Sequence, residues 1–576
     1  MSGLMTITRI PVDSTGISDP AGDVQGNRYS VSSSISGDGR FLAFTLDQSI
    51  FRIGAPNNNI NNSDDIFVRD LLTNTTTRVS VDPAGNPGND SSYDPSISAD
   101  GRFVAFQSDA SNLVPGDTNN SGDIFVGDLL TNTTTRVSVG SAGNQGNSLS
   151  RRSSISGDGR FVAFASDATN LVPGDANNST DIFVRDLSTN TTTLVSASSS
   201  GDRGNNDSEL PSISDNGRFV AFRSLATNLV PGDTNDSRDI FVRDLLTNTI
   251  TLVSVSSNGD RANDSSSRCS ISADGRFVAF SSDATNLVPG DTNNSDDIFV
   301  RDLSTNTTTR VSISSTGNQG NEDFYTPFIS ADGRFVTFSS EASNIVPGDT
   351  NDSEDIFVRD LSTNTTTRVS ISSTGNQGNS DSEFPSISAN GQKVAFSSFA
   401  ANLVPGDTNN GPDLFIADIG SAPGGINNSP NAINGTPGND NLTGTPSSDN
   451  INGFDGDDAL TGRQGNDILG GGGGSDNLFG GKGFDTLNGG LGNDNLVGGL
   501  GNDVFVLGAG LGVDTISDFT DGQDTIQLIN GLTFGQLSIS SGTNGTLIRV
   551  VGSGEVLASV TGVAPNLIGS EDFISG

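Results

Sequence analysis

The sequence predicts an all-β chain: a seven-bladed β-propeller with an N-terminal closing strand, then a coil of short turns, then a small β C-terminal cap. Three observations lead there. A β-rich phrase recurs seven times, almost always 58 residues apart. Part of the repeat is missing at the end of the array and present at the chain's start. Beyond the array, eight aspartates follow one another every nine residues without a slip.

The recurring phrase is S-I-S-x-D/N-G-R-F-V-A-F. Its glycine falls at Gly39, Gly101, Gly159, Gly217, Gly275, Gly333 and Gly391, with a first interval of 62 residues and five of 58. D-I-F-V-R-D-L follows each copy, from Asp65, Asp123, Asp181, Asp239, Asp297, Asp355 and Asp413. T-T-T-R-V-S-V follows six of them, from Thr75, Thr133, Thr191, Thr249, Thr307 and Thr365. Each unit thus offers four short β-runs. The second and third are apolar at successive positions, which fits strands covered on both faces. Four-stranded blades packed around an axis provide that cover, and the repeat length suits a propeller better than a solenoid.

The seventh copy lacks the fourth run after Asp418, and the N-terminus supplies one at Thr6-Ile7-Thr8-Arg9-Ile10-Pro11-Val12. An outer strand lent from the other end closes the ring and removes an exposed edge. The blade phrases resemble the TolB-like propeller repeat (S-P-D-G-K-x-I-A-F, then I-Y-V-x-D-L) over residues 6–419. The resemblance implies a propeller but not an activity, and seven repeats depart from the six blades of TolB.

After a Gly/Pro/Ser/Asn-rich linker at 420–434 come Asp440, Asp449, Asp458, Asp467, Asp476, Asp485, Asp494 and Asp503. The later ones sit in G-G-x-G-x-D-x-L-x, as in Gly489-Gly490-Leu491-Gly492-Asn493-Asp494-Asn495-Leu496-Val497. The period predicts a six-residue Gly-rich turn and a three-residue strand whose aliphatic side chain enters a narrow core. Carboxylates and exposed turn carbonyls are hard oxygen ligands of the kind calcium takes. A flexible Gly/Asn/Asp linker is the alternative; the unbroken period argues against it.

Residues 435–506 resemble the RTX calcium-binding nonapeptide family. The resemblance implies a parallel β-roll in which each ion sits between one turn and the turn two repeats later. Asp458 would then share a site with the turn at Gly474–Asp476, and Asp476 with the turn at Gly492–Asp494. Gly474, Gly483, Gly492 and Gly501 would lend turn carbonyls. Eight turns paired so allow at most six sites. The first four turns, GTPGND, GTPSSD, GFDGDD and GRQGND, lack the second glycine, so Asp467 through Asp503 fit the pattern best. The resemblance also implies type I secretion, with residues 507–576 as cap and secretion-signal region. Phe505–Phe519 (F-V-L-G-A-G-L-G-V-D-T-I-S-D-F) is similar to the companion of such rolls.

Composition narrows the function. The 576 residues carry a formal charge of −39, which disfavours nucleic acid and anionic membranes as partners. Uncompensated acid in the roll links its folding to metal. One cysteine, Cys269, excludes an intramolecular disulfide and reads as a small buried residue. No histidine is present, which excludes H-E-x-x-H zinc chemistry and Ser-His-Asp triads. No tryptophan is present either, so the sialidase Asp-box has no counterpart. Met1–Ser14 has no apolar core of a Sec signal, and no run is long enough for a transmembrane segment.

Two further candidate sites lie in the blades. The loop N-L-V-P-G-D-T-N-N-S-x-D places oxygen side chains at alternate positions, like the first half of an EF-hand without its bidentate Glu. It opens at Asp117, Asp175, Asp233, Asp291, Asp349 and Asp407 and closes at Asp123, Asp181, Asp239, Asp297, Asp355 and Asp413, with Asn119 and Asn293 among its third positions. The first blade has Asn57–Asn62 instead. An Asx-turn loop is the competing reading. Just before the innermost strand the near-identical copies diverge, reading Arg28-Tyr29, Ser92-Tyr93, Arg151-Arg152, Glu209-Leu210, Ser267-Arg268, Phe324-Tyr325 and Glu383-Phe384. Tyr93, Arg152, Arg268 and Tyr325 are the candidate ligand mouth, because aromatic and Arg side chains make binding anchors. Drift in an exposed loop is the alternative.

The expected protein is secreted or at the cell surface, and its roll folds on extracellular calcium. Its propeller is a binding, adhesion or surface-structural module for a glycan or cell-surface ligand. The rival is an extracellular hydrolase or lyase that acts on polysaccharide through carboxylates at the propeller mouth.

Overall fold

In the computed structural model the described residues are 6–10, 32–47, 63–407, 411–419, 432–436, 438–445, 449–465, 467–529 and 532–575. The chain divides into two compact units, Leu4–Ser421 and Ala422–Gly576.

The first unit is a seven-bladed propeller of four-stranded antiparallel sheets. Blade 2 shows the pattern, with Ser92–Ile97 innermost, then Phe103–Ser108, Asp123–Asp128 and Thr133–Arg136 outermost. The middle strands are almost wholly buried, as their unbroken apolar runs require. Phe106 faces Phe125 across the register and stacks on it at 5.9 Å. Each hydrophobic cluster draws on two neighbouring blades. Ala43, Ile66 and Val68 of blade 1 pack with Val104, Phe106 and Phe125 of blade 2. The core is therefore a set of inter-blade layers, and no blade buries its own faces alone.

Thr6–Arg9 is the outermost strand of blade 7, antiparallel to Asp413–Asp418, with Ile7 opposite Ala417. Ile10 joins the cluster of Leu414, Ile416, Ile35 and Phe44, which links the last blade to the first. At the axis, backbone bonds pass from blade to blade: Gly37 N–H donates to the Ala99 carbonyl (3.0 Å), Ala99 to Gly157 (3.0 Å) and Ala389 to Gly37 (3.0 Å).

The second unit is a parallel β-solenoid of about five turns with a small C-terminal sheet. Its two sheets alternate along the chain, and each strand pairs with the one two repeats later. In one sheet Leu460 aligns with Leu478 and Leu478 with Leu496; in the other Ile451 aligns with Leu469 and Leu469 with Leu487. These side chains form one apolar column, fully buried. The central strands, such as Asn477–Lys482, run six residues, longer than the three expected. They extend through the paired glycines, where Gly481 lies opposite Gly499 in the ladder. Beyond Val504 the register lengthens: Asn495 aligns with Thr515 and Val504 with Thr525. Gly545–Val550 and Leu537–Ser541 then add antiparallel strands to one sheet.

Candidate functional site: an aspartate ladder, the blade loops and the channel mouth

In the solenoid each aspartate ends a turn and is held by its partner two repeats away. Backbone N–H of Asp440 donates to Oδ1 of Asp458 (2.7 Å), Asp449 to Asp467 (2.7 Å), Asp458 to Asp476 (2.8 Å), Asp467 to Asp485 (2.8 Å), Asp476 to Asp494 (2.8 Å) and Asp485 to Asp503 (2.9 Å). Oδ1 is thereby used and Oδ2 is left. In Asp458, Asp467, Asp476, Asp485 and Asp494 the Oδ2 atom is buried without a hydrogen-bond partner. Such an atom costs free energy unless something binds it.

The space in front of those atoms is shaped. A methyl group on Gly453, Gly462, Gly471 or Gly480 would strike both the Oδ2 of the aspartate five residues on and a glycine carbonyl eighteen residues on. For Gly471 these are Oδ2 of Asp476 and the Gly489 carbonyl oxygen. A carboxylate oxygen and a carbonyl oxygen from two different turns thus pack against the same glycine, and both are hard oxygens of the kind calcium takes. No cluster of three or more Asp, Glu, His or Cys side chains suited to a metal occurs among the described residues, so an ion in the solenoid relies on carbonyls. Burial raises the Asp476 and Asp485 carboxyls to about 6, neighbouring ladder carboxylates adding to the effect.

The first two turns differ. Thr436 donates through its N–H (2.5 Å) and hydroxyl (2.9 Å) to Oδ2 of Asp440, and Thr445 does the same to Asp449 (2.5 and 3.0 Å). The threonine that replaces the second glycine fills the cradle from within. At the other end the ladder continues past Asp503: Asp494 N–H donates to Asp514 (3.2 Å) and Asp503 N–H to Asp524 (2.9 Å). Sequence reasoning missed these two because their spacing stretches to 20 and 21 residues. The usable signal is G-x-D-T-I, present at Gly512–Ile516 and Gly522–Ile526 and close to Gly483-Phe484-Asp485-Thr486-Leu487. Gly474, Gly483, Gly492 and Gly501 all adopt positive φ in the turns.

In the blade loops each aspartate pair lies against a guanidinium. Arg136 approaches Asp117 (3.4 Å) and Asp123 (3.5 Å), and Arg310 approaches Asp291 (3.4 Å) and Asp297 (3.3 Å). Arg368 lies 3.1 Å from both Asp349 and Asp355. In blade 7 the closing strand supplies Arg9, 3.7 Å from Asp407 and 3.5 Å from Asp413. Blades 3 and 4 have Leu194 and Leu252 where the others carry this Arg, and there the cation comes from elsewhere. Arg203 reaches Asp175 (3.6 Å) and Arg261 reaches Asp233 (3.8 Å); burial still raises the Asp181 and Asp239 carboxyls, and the two guanidiniums offset only a small part of it. Positions 203 and 261 correspond to Gln145, Gln319 and Gln377 of the other blades, whose amides donate to the same aspartates, as Gln145 does to Asp117 (2.7 Å). Asn119 Oδ1 accepts from Ser121 N–H (3.0 Å) and its amide donates to the Gly146 carbonyl (3.0 Å); Asn293 makes the same bonds to Ser295 and Gly320. The first-blade loop, Asn57–Asn62, lies outside the described residues.

The candidate mouth residues separate into two sets. The innermost strands carry a bulge, seen as register shifts between Tyr93 and Ser96 and between Arg151 and Ser154. At the bulge Asp94, Arg152, Leu210, Thr326 and Phe384 have φ near +50°, a backbone conformation that non-glycine residues rarely adopt. Arg152 and Arg268 line a cavity of about 200 Å³ in the channel, together with Asp94, Leu210, Cys269 and Phe328. Tyr93 and Tyr325 precede the bulge by one residue and do not line the cavity; they pair with Gln107 and Ser339 of the second strand. Tyr325 hydroxyl donates to Asp323 (3.5 Å), and burial with nearby carboxylates raises its pKa to about 12. One residue of strand phase, amplified by the bulge, divides the quartet. Arg28-Tyr29 lies outside the described residues. Cys269 is half-buried at the channel wall, its thiol 3.7 Å from the Leu210 carbonyl and pushed up to about 12 by burial.

The RTX calcium-binding nonapeptide repeat matches residues 434–469 and 470–505. The chain therefore carries RTX calcium-binding repeats in its C-terminal part. No curated protein matches. Among solved structures the chain is similar to TolB from Acinetobacter baumannii (15% identity, TM-score 0.32, covering 62% of this chain and 76% of that one). It is also similar to oligogalacturonate lyase from Vibrio parahaemolyticus (14%, 0.41, 73% and 99%). A third is the β-propeller domain of the Trilobed protease from Pyrococcus furiosus (12%, 0.42, 68% and 96%). None of these three likenesses is strong enough to bear on function. No helix among the described residues is long and apolar enough to cross a membrane.

Proposed function

We propose that this is a secreted calcium-binding protein whose solenoid completes its folding on extracellular calcium and whose propeller is a binding or adhesion module. The observation that carries the reading is the set of five buried, unpartnered aspartate Oδ2 atoms, each packed beside a glycine that has no room for a methyl group. Asp458, Asp467, Asp476, Asp485 and Asp494 would hold the ions, with glycine carbonyls from the turn two repeats on. Asp440 and Asp449 would contribute less, because Thr436 and Thr445 already occupy them. Calcium would neutralise stacked carboxylates and cross-link successive turns in a chain without disulfides. Scarce inside a cell and plentiful outside, it would leave the segment extended for export and fold it on arrival. Type I export with residues 507–576 as signal region and cap, and the division at 419, 434 and 506, belong to the same reading.

In the blades we favour internal neutralisation over calcium. The guanidinium stands where a loop cation would need to be, and the asparagines spend their oxygens on Asx-type bonds. For the propeller we favour binding over catalysis. Asp94 is the one carboxylate among the described residues lining the mouth, and it is tied to Arg152 at 3.1 Å. Paired carboxylates for glycoside cleavage need a second.

Hydrogen exchange on the full chain tests the solenoid assignment. Calcium should protect amides of residues 459–507 strongly and those of the middle blade strands little. Protection of the solenoid without calcium would refute it. A glycan array probed with the calcium-loaded chain and with Leu210→Trp, which fills the mouth, tests the propeller; glycan binding that survives the substitution would move the site elsewhere.

A further inference from the structure

The channel mouth has an unbalanced charge. Four guanidiniums cluster at blades 3 to 5. Arg151 pairs with Asp167 (3.0 Å), Arg152 with Asp94 (3.1 Å) and Arg223 with Glu209 (2.6 Å). Arg268 has no carboxylate at ion-pairing distance among the described residues, although it lines the cavity beside Leu210 and Phe328. Burial disfavours its charge, and Arg152 and Arg223 disfavour it further by repulsion, which the more distant Asp94 offsets only in part. The chain as a whole carries −39, so this sector runs against the protein's prevailing field. A desolvated cation without a counter-ion is costly, and a sequence so rich in Asp has left this one unpaired.

The backbone around it is also unusual. Arg152, which lines the channel, sits in the bulge at φ 55°, a conformation that costs of order 1 kcal/mol or more for a non-glycine residue. The bulge itself recurs in five other blades, so it is a framework device; the residue placed on it changes from blade to blade. The rest of the wall is apolar or neutral, with Leu210, Pro211, Pro327 and Phe328. An apolar cup with a few convergent polar groups is the usual form of a small-molecule site. A cavity of about 200 Å³ admits one small acid or the end of a longer one.

We propose that the mouth takes an anionic group, a carboxylate or sulfate on a small molecule or chain terminus, with Arg268 as its principal counter-ion and Arg152, shared with Asp94, as the second. Arg268 can present two parallel N–H donors to such a group. The inference rests on the reading of the mouth as the ligand site and adds the charge of what enters.

The test is titration calorimetry on the calcium-saturated full chain with three probes of similar size: glucuronate, glucose 6-sulfate and glucose. The expected result is that at least one anion binds, that glucose does not, and that binding weakens as salt rises. Arg268→Gln should weaken anion binding tenfold or more and Arg152→Gln several-fold. Arg268→Lys, which keeps the charge, should retain more than Arg268→Gln, and this ordering separates a lost charge from a damaged fold. Thr133→Ala on an outer strand should change nothing. No binding of either anion by the wild type, equal binding of glucose, or anion binding indifferent to Arg268→Gln would each overturn the proposal. Failure of the anions alone leaves the mouth as a site for neutral ligands, which the Leu210→Trp array decides separately.

Discussion

The ring of Phe41 lies against the α-carbon of Gly101 in the next blade, so closely that a methyl group there would overlap the ring. The contact repeats around the propeller, from Phe103 on Gly159 to Phe335 on Gly391, and the Lys393 side chain closes the circle on Gly39, 3.1 Å from where a methyl group on that glycine would lie. Arg40 also sits over the Phe41 ring, 4.7 Å from its centre, and grips Asp70 with two bonds of 3.0 and 2.7 Å. The D-G-R-F phrase is thus a latch: the glycine receives the preceding blade's ring, the Phe covers the next blade's glycine, and the Arg braces that Phe while pairing with an Asp of its own blade.

Two glycine substitutions separate the latch from backbone strain. Gly159 and Gly174 have similar φ, +71° and +74°, but Gly159 faces Phe103 while Gly174 has nothing within 4 Å. Gly174→Ala should cost about 1 kcal/mol from the left-handed backbone alone. Gly159→Ala adds overpacking, about 1–3 kcal/mol more. Denaturant midpoints of the propeller transition read the difference; equal losses would mean that the ring moves aside freely.

The blade-loop cation can be moved. In blade 3, Arg203→Gln should destabilise by about 1–3 kcal/mol, because it leaves the largely buried Asp175 and Asp181 without a positive neighbour. Adding Leu194→Arg restores the arrangement of blades 2, 5 and 6 and should recover most of the loss. A double-mutant cycle measures the coupling, and additive effects would show that the two positions serve different aspartates.

Deleting residues 1–10 removes the outer strand of blade 7, the Ile7 and Ile10 packing and the Arg9 cation together. The propeller should melt several degrees lower and self-associate through the bared Asp413–Asp418 edge. Light scattering and thermal unfolding check this; a deletion variant that stayed monomeric and equally stable would make the closing strand dispensable.

Mild acid should move the two units in opposite directions. Burial raises Asp181 and Asp297 to about 6 and Glu354 to about 7. A carboxyl with a higher pKa folded than unfolded holds more protons when folded, so between about 4 and these values falling pH favours the fold. Arg-paired Asp128 and Asp360, held at about 2, lose their contribution only below that window. The calcium-loaded solenoid must instead lose ions, since protonated Asp does not ligate. From pH 7.5 to 5.5 the propeller transition should rise and the solenoid's calcium-dependent transition should fall. A propeller that weakened over this range would contradict the sign.

Substitution along the ladder should show which aspartates hold ions. Asp476→Asn should lower calcium stoichiometry and the cooperativity of solenoid folding, whereas Asp440→Asn should leave stoichiometry unchanged because Thr436 already fills its Oδ2. Equilibrium dialysis with calcium counts the ions; equal losses would show that the ion displaces the threonine.

Repetition made much of this protein legible from its residues. The 58-residue phrase counted the blades, the displaced T-I-T-R run located the closing strand, and the nine-residue aspartates set the solenoid's register, because strand period and repeat length are local properties. Tertiary structure decided what depends on phase and reach. A bulge in the inner strand parted Arg152 and Arg268 from Tyr93 and Tyr325, although all four stood together in the sequence. A guanidinium from the outer strand, or from a loop some twenty residues further on, met the Asp pairs that resembled half an EF-hand. Asp514 and Asp524 joined the ladder across longer loops that broke the count. For the aspartates the partner lies from 13 residues away, as Arg136 is from Asp123, to the opposite end of the propeller, as Arg9 is from Asp413, and only strand pairing, the closed ring and the wound coil bring the two together.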